Sequence, residues 1–201
     1  MSTASPNTAG SAPAVFISYK RDAWPDHNLA TRIHDALQDV VPGRVFLDRD
    51  TLEPGDDWEA KIGEAIRSSD IFVVILSNMA LTSSEVKKEI QCAMEERTRT
   101  AGERPRIVPL TVKWTGPLPS EFADIDRLNR LEWTSVADND KVETTLKDMT
   151  EEASASRLEA EEEPYVEREC DEQFYRELMN PKGAVVAIVG SMQTGKTWLL
   201  E

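Results

Sequence analysis

The run Ile71-Phe72-Val73-Val74-Ile75-Leu76 contains no polar side chain. A strand alternates its side chains between two faces, so a run this apolar must be covered from both sides, as in a parallel sheet sandwiched between helices. This segment argues against an antiparallel sheet with one wet face. Its flanks agree with the sandwich, because apolar residues recur there at helical intervals on either side.

Four further segments extend the alternation. Ala14-Val15-Phe16-Ile17-Ser18-Tyr19 reads as a first buried strand ending in the polar loop Lys20-Arg21-Asp22. From Asp26, the spacing of Leu29, Ile33, Leu37 and Val40 predicts an amphipathic helix stopped by Pro42-Gly43. Arg44-Val45-Phe46-Leu47-Asp48 is a second strand, followed by the loop Arg49–Asp56 and a helix with Trp58, Ile62, Ala65 and Ile66 on one face. After the Ile71–Leu76 strand, Thr82-Ser83-Ser84-Glu85 has the form of a capping box with Glu85 at N3, and it opens a helix near Ser83 bearing Val86, Ile90, Ala93 and Met94. Arg106–Val112 is a fourth strand in which Pro109 lacks a ladder donor, which implies a bulge or a one-sided position. Leu131-Glu132-Trp133 is a fifth, followed by a helix with Val142, Leu146 and Met149. The fold class is therefore α/β, an open parallel five-stranded sheet with helices on both faces and, by the commonest arrangement, strand order 2-1-3-4-5.

Residues 1–13 are Ser, Thr, Ala, Pro, Gly and Asn with neither a basic nor an apolar region, and they read as a disordered leader. The ordered domain is expected over 14–150. Residues 151–164 are rich in Glu and read as an acidic linker or an exposed helix. A new unit begins at Tyr165, where the strand Ala184–Val189 runs into Gly190-Ser191-Met192-Gln193-Thr194-Gly195-Lys196-Thr197. That octet fits GxxxxGK[ST] directly after an apolar strand, the context of a P-loop. Gly190 and Gly195 would let the backbone cradle phosphates, Lys196 would reach the outer ones and Thr197 would bind Mg²⁺. With four residues after Thr197, 165–201 is expected to be the truncated start of such a domain, with ATP and Mg²⁺ belonging to what is missing.

Asp and Glu outnumber Lys and Arg 37 to 23, a formal charge of −14. A field of that sign disfavours nucleic acid or an anionic membrane as partner, and no apolar run approaches a membrane span. Cys92 and Cys170 form neither a bridge framework nor a zinc pattern with His27 and His34, so no metal is expected and a reducing, cytoplasmic location fits.

In a doubly wound sheet, ligands bind outside the carboxyl ends of the strands, where helices diverge to opposite faces. Order 2-1-3-4-5 sets the loops Ser18–Asp22 and Ser77–Ser84 across one crevice, flanked by Arg49–Asp56. Tyr19, Lys20 and Arg21 then offer an aromatic and cationic wall beside the third helix. On that helix Glu89 falls on the border of the buried stripe, from which it can point into the cleft. A carboxylate there could stabilise an oxocarbenium-like sugar cation. A leaving group that departs from a cationic ring as a neutral molecule needs no general acid, so one carboxylate could serve for such a substrate. The competing readings are plain: Glu89 as a solvated helix residue, Lys87 and Lys88 as surface charges pairing along the helix, Trp58 and Cys92 as core or near-core residues, and both histidines as surface residues.

Val15-Phe16-Ile17-Ser18-Tyr19-Lys20-Arg21, Val45-Phe46-Leu47-Asp48 with Leu52, Gly55 and Trp58, Ser69-Asp70, Ile75-Leu76-Ser77, and Ser83 to Glu89-Ile90 together resemble a bacterial TIR domain over about Ala14 to Met149. The resemblance implies a flavodoxin-like fold. For the NAD-cleaving branch it implies cleavage of the nicotinamide–ribose bond, giving nicotinamide and ADP-ribose or a cyclic ADP-ribose. Glu89 matches the catalytic glutamate. Ser18, Tyr19, Lys20, Arg21, Asp48 and Ser77 match the NAD site, and Arg49–Asp56, with Leu52, Pro54 and Gly55, matches the BB loop that gates the site and mediates assembly. Where many members carry an aromatic and a cysteine ahead of the glutamate, this chain has Glu85 and Val86. The tail is similar to the start of AAA-like, STAND-type NTPase domains. Together these imply the effector of an immune or signalling protein, switched on when oligomerisation brings TIR domains together, with NAD and other TIR domains as partners. The alternative is a non-enzymatic TIR adaptor.

Overall fold

The computed structural model describes residues 12–47 and 58–161. Five strands, β1 (Val15–Ser18), β2 (Val45–Leu47), β3 (Ile71–Leu76), β4 (Arg106–Val112) and β5 (Leu131–Trp133), form one sheet in the order β2-β1-β3-β4-β5. Every pairing is parallel. Between and after them lie α1 (Asp26–Gln38), α2 (Trp58–Ser68), α3 (Ser84–Arg99), the single turn α4 (Ala123–Asp126) and α5 (Asn139–Glu161). The expected fold class and strand order are therefore those observed.

Strand alternation divides the core into two layers. Val15, Ile17, Ile71, Val73 and Ile75 pack against Leu29, Ile33 and Leu37 of α1 and Val142 and Leu146 of α5. Phe16, Phe72, Val74 and Leu76 point the other way, onto Ile62 and Ile66 of α2 and Val86, Ile90 and Ala93 of α3. The polarity-free β3 run thus serves both faces, as a central strand must.

Local departures from the sequence reading have local causes. Ala80–Thr82 is a 3₁₀ turn, and Thr82 spends its hydroxyl on the Met79 carbonyl at 2.9 Å. The cap therefore falls to Ser83, whose Oγ accepts from the Val86 amide, and Glu85 becomes the second helical residue instead of N3. Pro109 takes the one-sided position of the two alternatives: it registers with Val74 of β3, while β5 pairs only from Leu110 onward. α1 ends at Gln38, so Val40 packs from the turn beyond it. Lys87 pairs across to Glu121 at 2.7 Å and lies over the Phe122 ring, not along its own helix.

Residues 151–161 continue α5 as helix. Arg157 donates to Asp70 Oδ2 at 2.9 Å, the oxygen that also accepts from the Ala14 amide, and Arg106 pairs with Glu152. These bonds tie the stretch after Glu151 to the sheet. Met1–Leu158 forms one unit; the second, Glu159–Glu201, lies almost wholly outside the described residues, and with it the P-loop residues Gly190, Gly195, Lys196 and Thr197. Asp48 and the loop residues Leu52, Pro54 and Gly55 also lie outside them, as does the side chain of Trp58. No described helix is long and apolar enough to cross a membrane.

Candidate functional site

α3 carries Val86, Glu89, Ile90, Ala93 and Glu96 on its buried side. Glu89 thus lies within the inward stripe, not on its border, and is only 4% exposed. The i, i+3, i+4, i+7 series from Val86 already includes position 89, and the α2 side of the helix covers it. Burying a carboxylate is costly, so its placement is not that of a solvated helix residue.

What keeps Glu89 reachable is a cleft of about 300 Å³ between α2 and α3, walled by Ile62, Gly63 and Arg67 on one side and by Glu85, Glu89 and Cys92 on the other. Gly63 shapes it, because a Cβ there would stand 3.1 Å from Arg67 Nη1. The bare glycine lets the Arg67 side chain fold back along the groove, where Nη1 approaches Cys92 Sγ at 3.7 Å. Half-buried Cys92 has its thiol pKa pushed up by burial, which leaves it a packing group. Sequence reasoning missed Arg67, although its signal was a glycine four residues earlier on the same helix face.

Glu85 stands at the head of this cleft. Ser83 Oγ donates to its carboxylate at 2.7 Å and Ser84 Oγ at 3.0 Å. The Ser83 bond first, then the Glu85 amide and the Ser84 bond, hold its pKa down at about 2. The Lys20 ammonium lies 3.9 Å away, so the loop after β1 does reach the first turn of α3. Replacing Ser83 by alanine removes the cap and should lower stability by about 1 kcal/mol, measurable by urea unfolding; no change would show the cap to be idle.

The other expected site residues lie deeper. Ser18, Tyr19 and Ser77 are buried. Tyr19 continues the alternation of Val15 and Ile17 into the α1 layer and tilts against the His27 ring at 5.9 Å. None of the three lines the Glu89 cleft; half-buried Arg21 does not line it either. Ser77 donates to Asp26 Oδ2 at 2.6 Å and accepts from the Ala80 amide, joining the end of β3 to the start of α1 at the point where the two helices diverge. Asp26 is fully buried, a feature the sequence reading passed over as a mere helix start.

Burial pushes the Asp26 pKa above its ordinary 3.8, while the Ser77 hydroxyl and the amides of Asp26 and Lys20 pull the other way. The folded state then holds this proton to higher pH than the unfolded chain, so Asp26 lowers stability as pH rises through that window. Asp26→Asn keeps an oxygen for Ser77 and removes the charge. It should match the parent protein near pH 4 and exceed it in stability at pH 7, compared by urea unfolding; a less stable variant at pH 7 would show that the carboxylate stabilises the fold.

With sheet order, switch point and buried carboxylate in place, comparison with known proteins decides the family. The TIR domain family model matches residues 15–149. The chain belongs to the TIR domain family. No curated protein matches it. Among solved structures, the TIR domain of the Toll-related receptor TRR-2 from Hydra magnipapillata is 16% identical, with 71% of this chain and 98% of that one covered and a TM-score of 0.50. The TIR domains of the activated Roq1 resistosome, which recognises the pathogen effector XopQ, are 21% identical over 73% of this chain and 83% of theirs, with a TM-score of 0.45. A prokaryotic SEFIR domain is 20% identical over 69% and 99%, with a TM-score of 0.44. At 16% identity the likeness to the Hydra domain is one of fold.

Proposed function

We propose that this TIR domain is an NAD glycohydrolase that breaks the nicotinamide–ribose bond, with Glu89 as its catalytic carboxylate. The supporting observation is a carboxylate placed on the buried stripe of α3 yet on the wall of a cleft large enough for part of a dinucleotide. As the bond stretches, the pyridinium takes the electron pair and departs as neutral nicotinamide, and the ribose carbon becomes oxocarbenium-like. Glu89 stabilises that charge from a site of low dielectric. Water attack at the same carbon, with loss of its proton, yields ADP-ribose; attack by a nitrogen of the molecule's own adenine yields the cyclic product. Lys20, 3.9 Å from Glu85 at the head of the cleft, supplies positive charge for phosphates and Arg21 and Asp48 complete the site, while the buried Ser18, Tyr19 and Ser77 position the adjoining loops without lining the cleft.

TIR domains generally self-associate. In our reading the Arg49–Asp56 loop, with Leu52, Pro54 and Gly55, joins protomers and completes the site, in a cytoplasmic effector whose P-loop residues Gly190, Gly195, Lys196 and Thr197 belong to an ATP- and Mg²⁺-dependent oligomerising domain. Nicotinamide release from NAD, followed by chromatography at low and high protein concentration, tests this directly. Release should rise more than in proportion to concentration. The burial of Ser18, Tyr19 and Ser77 away from the Glu89 cleft favours the second reading, an adaptor that binds other TIR domains and leaves NAD intact at every concentration.

A further inference from the structure

A second cleft opens at the same rim of the sheet but on the α1 side, between the start of α1 and the segment leading into α5. Lys113 follows β4 directly and has φ of 51°, in the left-handed region that residues with a side chain seldom occupy. Its amide donates to the Trp133 carbonyl at 2.8 Å, which pins this conformation to the edge strand. Backbone strain of this kind is held in place where it positions something. Here it carries the Lys113 ammonium to 5.0 Å from the Trp24 ring centroid and 5.9 Å from that of Trp133.

The two indoles play different parts. Trp133 is buried and locked, its Nε1 donating to Asn139 Oδ1 at 2.8 Å. Trp24 is 72% exposed, and with Val136 it accounts for two of the three large apolar side chains exposed among the described residues. All four residues wall a cleft of about 280 Å³. Lys113 has no carboxylate within ion-pair distance among the described residues, in a chain where acids outnumber bases 37 to 23. Nearby Arg32 is by contrast paired, to Glu143 at 2.6 Å. An ammonium held by aromatic faces and lacking an anion, beside an indole left open to water, matches one ligand chemistry: a flat ring joined to an anionic group. The concave, walled shape suits a small molecule better than a flat protein face.

We propose that the Trp24–Lys113–Val136 cleft binds a planar ring bearing a phosphate or carboxylate, of about the bulk of a nucleoside monophosphate. The ring stacks on Trp24 and the anion meets Lys113. The site is independent of the Glu89 cleft, with which it shares no residue.

Isothermal calorimetry with AMP and with 1-naphthoate, on the full chain and on Trp24→Ala and Lys113→Met, tests it. The parent protein should bind, while Trp24→Ala and Lys113→Met should each lose about tenfold or more. Adenosine and inorganic phosphate, each holding half of the ligand's chemistry, should bind more weakly than AMP. Binding of both anionic rings marks the anion in general, and binding of AMP or naphthoate alone identifies phosphate or carboxylate as the natural group. The proposal is overturned if the parent protein binds neither, or if it binds either one with an affinity that both cleft variants retain. Trp24 and Lys113 are exposed, so circular dichroism should show both variants folded.

Discussion

Replacing Glu89 by alanine should cut nicotinamide release from NAD by at least about a hundredfold, the scale on which one buried, pre-positioned electrostatic group acts on a developing charge. The size of the effect follows from where the carboxylate sits. In water a carboxylate lowers the energy of a nearby cation little, because solvent does the same; in the α2–α3 groove, at 4% exposure, little solvent competes with it. Glu89→Gln retains the shape and loses the charge, and it should be nearly as inactive. Neither variant should unfold, since a buried carboxylate is a poor contributor to stability and site residues are often kept against that cost. Melting temperatures at or above that of the parent protein, together with lost release, would separate catalysis from folding. Unchanged release in both variants would remove Glu89 from the mechanism, and a glutamine variant as active as the parent would exclude the charge as its contribution.

How much of this site could be read in the sequence depended on whether its residues share one element. The β3 run and the helical spacing after Ser83 are local patterns, and from them a parallel sheet covered on both faces and a Glu89 close to the buried stripe of α3 follow, whereas the strand order comes from the commonest arrangement of such sheets. Tyr19 shows how a local rule can be available and still be passed over. Val15, Ile17 and Tyr19 alternate onto one face, so the tyrosine continues the strand's inward series even though a loop begins there. Asp26 and Ser77 are 51 positions apart, and no periodicity links them; their bond exists because parallel order brings the end of β3 beside the start of α1. The Trp24–Lys113–Trp133 bracket is likewise built from three segments that only the folded sheet brings together. Pairings of that kind are written in the topology, and a single sequence carries them only through the strand order.

The largest stability loss should come from beneath the proposed site, in Phe72→Ala. Phe72 is fully buried and stacks on Phe16, its register partner on β1, with ring centroids 5.8 Å apart and planes 11° from parallel. Both rings belong to the layer under α2 and α3. Truncating one deletes most of a phenylalanine's buried area and leaves a void that helices held at both ends can only partly close, so the cost should be about 3–5 kcal/mol. That is a large share of the ~5–15 kcal/mol by which a typical domain is stable. The void would open in the layer that Phe72 shares with Ile66 of α2 and Ile90 of α3, beneath the two helices that form the groove containing Glu89. Urea unfolding should give the stability loss, and nicotinamide release measured where the variant is still fully folded should fall with it, because collapse into the void shifts the carboxylate that the chemistry needs fixed. Phe72→Leu, which refills much of the space, should recover most of both. A Phe72→Ala protein that loses its stability but keeps full activity would mean that the groove is held open by something other than the packing beneath it.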